Sequence, residues 1–331
     1  MTGSTFNVCQ DGQLYSVKDH EINLAIDFFN QGRASKDKPK LRADTAALWI
    51  DISRVFTDIR GQGISTITLR QLYYQLVSRG SIKKTEAEYK RTMRQLRDMR
   101  RGGFIPYEWV ADNTRWMRRP NTHHDLLAFC DYQSVIYRKA IWDSQPRNIE
   151  IWCEKDALAG VIYTITSKWD VPLYVVRGYS SDTLAFNAMN QYSNSDKPLS
   201  IYYFGDWDPS GKDVSRDLES KLQFFADDMD VDFSFERVAV LPDQIGEWSL
   251  PTRPTKMSDP RSKTFTGESV ELDAIPPRHL QQIVNAVITQ NIDHDLYERT
   301  LKAEKLERDF LSTAFKELRP RFKFIDTGVE A

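Results

Sequence analysis

The chain has 331 residues, of which 40% are hydrophobic and 28% charged, with a formal net charge of −2. That composition suits a globular protein with real cores, and the length suits two modest domains rather than a disordered or fibrous chain. No apolar run approaches the ~20 residues of a membrane span, and no secretory signal is expected at the N-terminus. Cys9, Cys130 and Cys153 are scattered without metal-ligand spacing and read as reduced thiols of a cytoplasmic protein.

Residues 1–43 carry Gly, Ser, Lys and Asp with weak periodicity and read as a loosely ordered arm, with one short helix expected around Ile22 to Phe29. Asp44 can cap the next helix, in which Leu48, Ile52, Val55, Phe56 and Ile59 form one apolar stripe before Gly61 and Gly63 stop it. A second helix over Thr68–Ser78 places Leu69, Leu72, Tyr73 and Leu76 on its core side. Arg70 and Tyr74, four apart, share a neighbouring face, so Tyr73 reads as structural and Tyr74 as free to act beside a positive charge. A third helix over Glu86–Arg101 has Tyr89, Met93 and Leu96 as its core stripe and Lys90, Arg94, Arg97 and Arg101 as a separate basic stripe. Between Lys83 and Arg119 eleven Lys/Arg face five Asp/Glu, a basic stretch in a slightly acidic chain. Three helices followed by an expected β-turn-β over Phe104–Val110 match a winged helix-turn-helix spanning 44–122. Its basic helix either meets a duplex or is simply a solvated face.

Residues 123–147 read as a connecting helix. From 148 onward strands and helices alternate: strands Ile149–Cys153, Leu173–Val176, Ser200–Phe204 and Arg237–Leu241, helices Asp156–Trp169, Asp182–Tyr192 and Lys212–Phe225. This order predicts an α/β fold whose mostly parallel sheet carries helices on both faces. Residues 243–275, rich in Pro, Thr, Ser and Lys, read as a long surface insertion, and helices Pro277–Thr289 and Asp295–Leu318 close the chain.

The chemistry centres on Asp206-Trp-Asp208-Pro-Ser-Gly, directly after the apolar run Ile201–Phe204. Two carboxylates just past a strand's carboxyl end sit where open α/β sheets place ligands, and their mutual repulsion is relieved by a cation between them. Oxygen-only ligands suit Mg²⁺; the bland alternative is an acidic turn that caps the following helix. Glu154, ending the first strand of this half, adds a third acid at the same sheet edge, and three such acids can hold Mg²⁺ against a phosphodiester. Lys155 is equally a phosphate contact or a solvated lysine. Gly205 to Lys212 is not a P-loop: five residues separate its glycines, and Asp213 follows the lysine where Ser or Thr is required.

Taken together, Glu154 with Asp206-Trp-Asp208-Pro-Ser-Gly resembles the Toprim domain of topoisomerases, primases and related nucleases. Arg70-Gln-Leu-Tyr-Tyr74 resembles the Arg-x-x-Tyr-Tyr box in the winged helix of type IIB topoisomerase A subunits and the meiotic double-strand-break protein, and the domain order is the same. Arg177-Gly178-Tyr-Ser-Ser-Asp182 falls where that family has Gly-x-Pro-Asp, with Ser181 in place of the proline. The likeness spans about 44–245 and extends to stand-alone A-subunit-like members. It implies a Toprim domain over 148–331 and a Mg²⁺-dependent enzyme in which Tyr74 attacks double-stranded DNA and becomes joined to the 5′ phosphate. Arg70 would stabilise the phenolate and the developing charge, Glu154 would serve as acid/base, and Glu154, Asp206 and Asp208 would bind the metal. It also implies a nucleoid-associated homodimer that cuts both strands, with a separate ATPase B subunit as a possible partner. The alternatives are a Toprim nuclease using activated water, a DNA-binding module without activity, and a nucleotide-sugar glycosyltransferase, which leaves Tyr74 and the basic helix unexplained.

Overall fold

The computed structural model describes residues 5–10, 13–18, 43–111, 120–254, 265 and 267–322. The first two segments form an antiparallel hairpin, β1 (Thr5–Gln10) and β2 (Gln13–Lys18), with Gln10 opposite Gln13. This corrects the expected loose arm: Phe6 and Val8 alternate with polar residues ahead of Asp11-Gly12, a pair that favours a two-residue hairpin loop. The helix expected near Ile22 to Phe29 lies outside the described residues.

Helix α1 (Ala43–Gly61) begins just before Asp44, which therefore sits in the first turn, where its charge suits the helix dipole, rather than at the cap. A parallel pair of short strands, β3 (Ile67–Thr68) and β4 (Val110–Ala111), flanks α2 (Leu69–Ser78) and α3 (Glu86–Arg101). Thr68 starts α2 with a capping box, accepting from the Gln71 backbone N–H while the Gln71 side chain accepts from Thr68 N. The β-turn-β expected over Phe104–Val110 is not formed. Phe104 and Trp109 fold back onto Trp49 and Phe56, with ring centroids 5.3 and 5.8 Å apart. Between them lies a single 3-10 turn, Tyr107–Trp109, after Pro106. Any further wing strand would fall in 112–119, outside the described residues. Leu48, Ile52, Val55, Phe56 and Ile59 of α1 close this core with Leu72 and Leu76 of α2 and Leu96 and Met99 of α3. Met93 is not part of it but 44% exposed; the buried side of α3 is Thr92, Leu96 and Met99.

Helix α4 (Leu126–Ile136), capped by Asp125, is the helical part of the connecting segment. The α/β half then builds one parallel sheet from β5 (Asn148–Cys153), β6 (Leu173–Val175), β7 (Leu199–Phe204) and β8 (Phe233–Ala239), in spatial order β6-β5-β7-β8. The crossovers are α5 (Ala159–Thr166), α6 (Asp182–Asn190) and α7 (Pro209–Met229). Both faces are covered, as near-continuous apolar strands of a parallel sheet require. Ile149, Ile151, Cys153 and Phe204 enter one core, and Trp152, Leu199, Ile201 and Tyr203 the other. Strand β8 lies earlier than expected, because Phe233 and Phe235 pair with Leu199 and Ile201. Helix α7 starts at Pro209 rather than at the expected Lys212, since a proline is tolerated in the first helical turn.

The expected surface insertion over 243–275 is corrected in two places. Its start belongs to α8 (Pro242–Glu247), and its end is deep in the protein. Val270, Leu272, Ala274 and Ile275 are buried in the same core as Ile151 and Phe204, and Val270 bridges Trp207 through paired backbone hydrogen bonds of 2.8 and 2.9 Å. The chain closes with α9 (Pro277–Asn291) and α10 (His294–Phe322), the latter packed along α4. No helix among the described residues is long and apolar enough to cross a membrane.

Candidate active site at the junction of the two halves

The order β6-β5-β7-β8 reverses direction between β5 and β7, which makes their carboxyl ends the switch point where open α/β sheets bind ligands. Register puts Cys153 opposite Phe204, so Glu154 and Gly205-Asp206 leave the sheet side by side. Glu154 Oε2 accepts from the Asp206 backbone N–H at 3.0 Å and from the Tyr203 hydroxyl at 3.3 Å. The absence of side chains at Gly205 and Gly211 permits this closeness. A Cβ at Gly205 would come within 2.7 Å of Glu154 Oε2, and one at Gly211 would strike the Asp206 carbonyl oxygen. Arg237 ties the loop to α7, donating to the carbonyls of Gly205, Asp206 and Gly211 at 2.7–3.1 Å and to Ser215 Oγ at 2.9 Å. Burial first, then the neighbouring Asp206, raises the Glu154 pKa above the usual carboxylate range. Burial likewise raises Asp206, against the pull of Lys155.

Asp208 behaves partly as the bland alternative anticipated: its Oδ1 caps α7 through Gly211 N at 2.7 Å. Its Oδ2 pairs with Arg253 at 3.1 Å. Among the described residues no group of three acids or other metal-ligating side chains is arranged to hold a metal as it stands. The donor chemistry nonetheless fits a hard cation at the Glu154–Asp206 pair. All donors there are carboxylate oxygens, and no hydrogen bond among the described residues engages Glu154 Oε1 or Asp206 Oδ2; Asp206 Oδ1 is taken by a positive group.

That group is Lys155, which is neither of the alternatives left open for it. Its ammonium is buried against Asp206 Oδ1 at 3.0 Å, Asp273 Oδ2 at 2.7 Å and Glu271 Oε2 at 3.3 Å. Burial works against its charge, but Asp273, Asp206 and Glu271 outweigh that and raise its pKa above the ordinary lysine value. Glu271 in turn gathers Arg70 Nη1 at 3.0 Å and Arg253 Nη1 at 3.1 Å. Burial would raise the Glu271 carboxyl; Lys155, Arg70 and Arg253 together hold it below the usual range. Glu271, Asp273 and Arg253 were hidden from the sequence reading inside the supposed insertion. The signal was present: Val270-Glu271-Leu272-Asp273-Ala274 alternates apolar and acidic residues with the period of a half-buried strand.

Tyr74 is not free. It is 3% exposed, and with Tyr73 it belongs to the core of the α/β half rather than to the helical one. The reason is that α2 is covered on two sides. Leu72 and Leu76 face α1 and α3, while Tyr73, Tyr74 and Val77 face the α/β half, where α2 meets the 3-10 turn Leu272–Ala274. No hydrogen bond among the described residues engages the Tyr74 hydroxyl. Burial first, then Glu271, pushes its pKa well above the ordinary tyrosine value, against the pull of Lys155 and Arg70. Arg70 lies beside it as expected, but its guanidinium is paired with Glu271.

Two clefts open at this junction. The larger, about 650 Å³, is walled by Arg70, Tyr89, Met93 and Arg100 on the helical side and by Glu154, Lys155, Arg177 and Asp273 on the other. The smaller, about 290 Å³, is lined by Arg70, Tyr74, Lys84, Arg253 and Glu271 among others. Lys90, Arg94, Arg97 and Arg101 are all exposed, on a stripe about 90° around α3 from Tyr89, Met93 and Arg100. They border the large cleft rather than line it. The turn at Arg177-Gly178 adopts positive φ values of 51° and 88°, and Ser181 caps α6 through Leu184 N at 3.2 Å. No protein-family model matches the chain, and no curated protein matches its sequence.

Proposed function

We propose that this protein is a Mg²⁺-dependent DNA-cleaving enzyme in which Tyr74 is the nucleophile and a homodimer cuts both strands. The observation that carries the reading is the unbroken chain of charged contacts Arg70–Glu271–Lys155–Asp206, which joins the tyrosine-bearing helix to the acids at the switch point. Glu154 and Asp206 are the residues that would hold the ion. When bound, the ion supplies positive charge to offset what develops on a phosphodiester as its P–O bond breaks. The phenol oxygen of Tyr74 forms the new bond to phosphorus as the bond to the 3′ oxygen breaks, and the phenol proton ends on the departing 3′ oxygen, which leaves as a hydroxyl. Glu154 would serve as the acid/base that carries that proton. Arg70 and Lys155 favour the phenolate, and Glu271 opposes it. The geometry described is therefore a resting arrangement, from which the Glu271 charge must be offset before Tyr74 reacts.

The buried phenol also favours a second reading, cleavage by activated water with α3 serving only to bind the duplex. One assay separates them: supercoiled plasmid with Mg²⁺, denatured with and without protease. The first reading predicts protein-linked DNA that disappears in Tyr74→Phe and in Asp206→Asn. Undiminished nicking by Tyr74→Phe, lost only in Asp206→Asn, would establish the second and refute the first.

A further inference from the structure

The smaller cleft is a concentration of positive charge with an internal occupant. Arg70, Lys84 and Arg253 line it around Glu271, with Glu86, itself paired to Lys90, as the other acid in its wall. Lys84 makes no ion pair among the described residues. Its ammonium donates to the Pro251 carbonyl at 2.7 Å and lies 5.2 Å from the centre of the Tyr74 ring. Burial lowers its pKa, with Arg253 and Lys155 adding repulsion against the attraction of Glu271 and Glu268. A half-buried lysine that shares a cleft with two arginines is costly unless an anion shares the space, and Glu271 is already taken by Arg70, Arg253 and Lys155, of which Arg253 also holds Asp208 and Lys155 also holds Asp206 and Asp273, while none of these carboxylates pairs with Lys84.

We propose that this cleft is a phosphate site formed by Lys84, Arg253 and Arg70 beside Tyr74, and that Glu271 is its internal counter-ion, displaced when a phosphate of a duplex backbone enters. The planar forks of Arg70 and Arg253, now spread over the two oxygens of Glu271, suit the oxygens of a phosphate equally well. The inference deepens the proposed function and rests on it for the identity of the ligand as DNA, but the site itself is testable without cleavage.

The first measurement is thermal unfolding in inorganic phosphate against chloride at matched ionic strength, for the unaltered protein and for Lys84→Gln, Arg253→Gln and Glu271→Gln. Lys84→Gln and Arg253→Gln should each weaken phosphate binding about tenfold, and Glu271→Gln, freed of the competitor, should bind several-fold more tightly. A Glu271→Gln protein that binds phosphate no better than the original, or a Lys84→Gln protein that binds it equally well, overturns the assignment. If Arg253→Gln fails to fold, Lys84→Gln carries the test, since its side chain holds only one carbonyl. In the second measurement, Tyr74→Phe protein binds a labelled duplex oligonucleotide over a salt series, with a mononucleotide in parallel. Adding Lys84→Gln should lower duplex affinity and reduce the salt slope by about 1; a response confined to the mononucleotide refutes the backbone assignment. Phosphate behaviour as described without a covalent adduct overturns only the cleavage reading. An adduct without the Lys84 and Glu271 responses overturns only this site.

Discussion

Glu150 lies on β5 with no exposure to solvent, accepting from Trp152 Nε1 at 2.7 Å and from the Tyr192 hydroxyl at 2.9 Å, with no cation among its hydrogen-bond partners. Burial raises its pKa from 4.5 to about 7, against the pull of those two donors. Because the folded protein holds this proton more tightly than the unfolded chain, the contribution of Glu150 to stability is greatest below 4.5, falls as pH rises to about 7, and is flat above that. Fully ionised, the group costs the folded state about 3 kcal/mol. Glu150→Gln keeps the size and an acceptor but removes the titration. Urea unfolding of the two proteins, followed by far-UV circular dichroism from pH 5 to 8, should show the variant gaining about 2–3 kcal/mol on the original across that range. Parallel curves would refute the reasoning: they would mean that the carboxyl ionises in place without cost, or that the folded state admits water to it.

Lys155→Met leaves Asp206, Glu271 and Asp273 without their shared cation. It should lower stability by about 3–5 kcal/mol in EDTA and recover part of that loss in Mg²⁺; melting curves unaffected by Mg²⁺ would count against a cation at Asp206. Gly211→Ala drives a methyl group into the Asp206 carbonyl and should cost about 1–3 kcal/mol, read from thermal denaturation. Arg94→Gln with Arg97→Gln should weaken duplex binding and cut the salt slope by about 2, leaving the fold unchanged by circular dichroism; an unaltered slope would make the stripe a solvated face.

The elements most legible in the sequence were those whose apolar spacing is strong and uninterrupted. The bounds of α3 and the burial of β5 and β7 follow directly from the chain, and the two strand-end acids Glu154 and Asp206 emerge adjacent because parallel register demands it. What could not be read was the choice among faces. Tyr73 and Tyr74 both point toward a neighbour because α2 is covered twice, and nothing within one helix reveals a second covering layer. Met93 was misplaced for a related reason: an apolar residue on a two-sided helix suits either a core or a cleft wall. The acids at Glu271 and Asp273 were missed because the polar composition of 243–268 masked the short alternating run behind it. The role of Lys155 depended on that run, and so stayed hidden with it.

The segment Ser269–Ile275 reaches the site from far along the chain, and Glu271 meets Arg70 across a separation of 201 residues. Closing so distant a contact is entropically slow, so it belongs late in folding, after local helices and neighbouring strands have formed. A polypeptide ending at residue 254 would contain every strand of the sheet and all of the helical half. It would still lack the anion that Arg70 and Lys155 share, and Tyr73 and Tyr74 would lose the turn that covers them. In a growing chain the charged junction is therefore completed only when the final third has docked, which makes its assembly a readout of whole-protein folding.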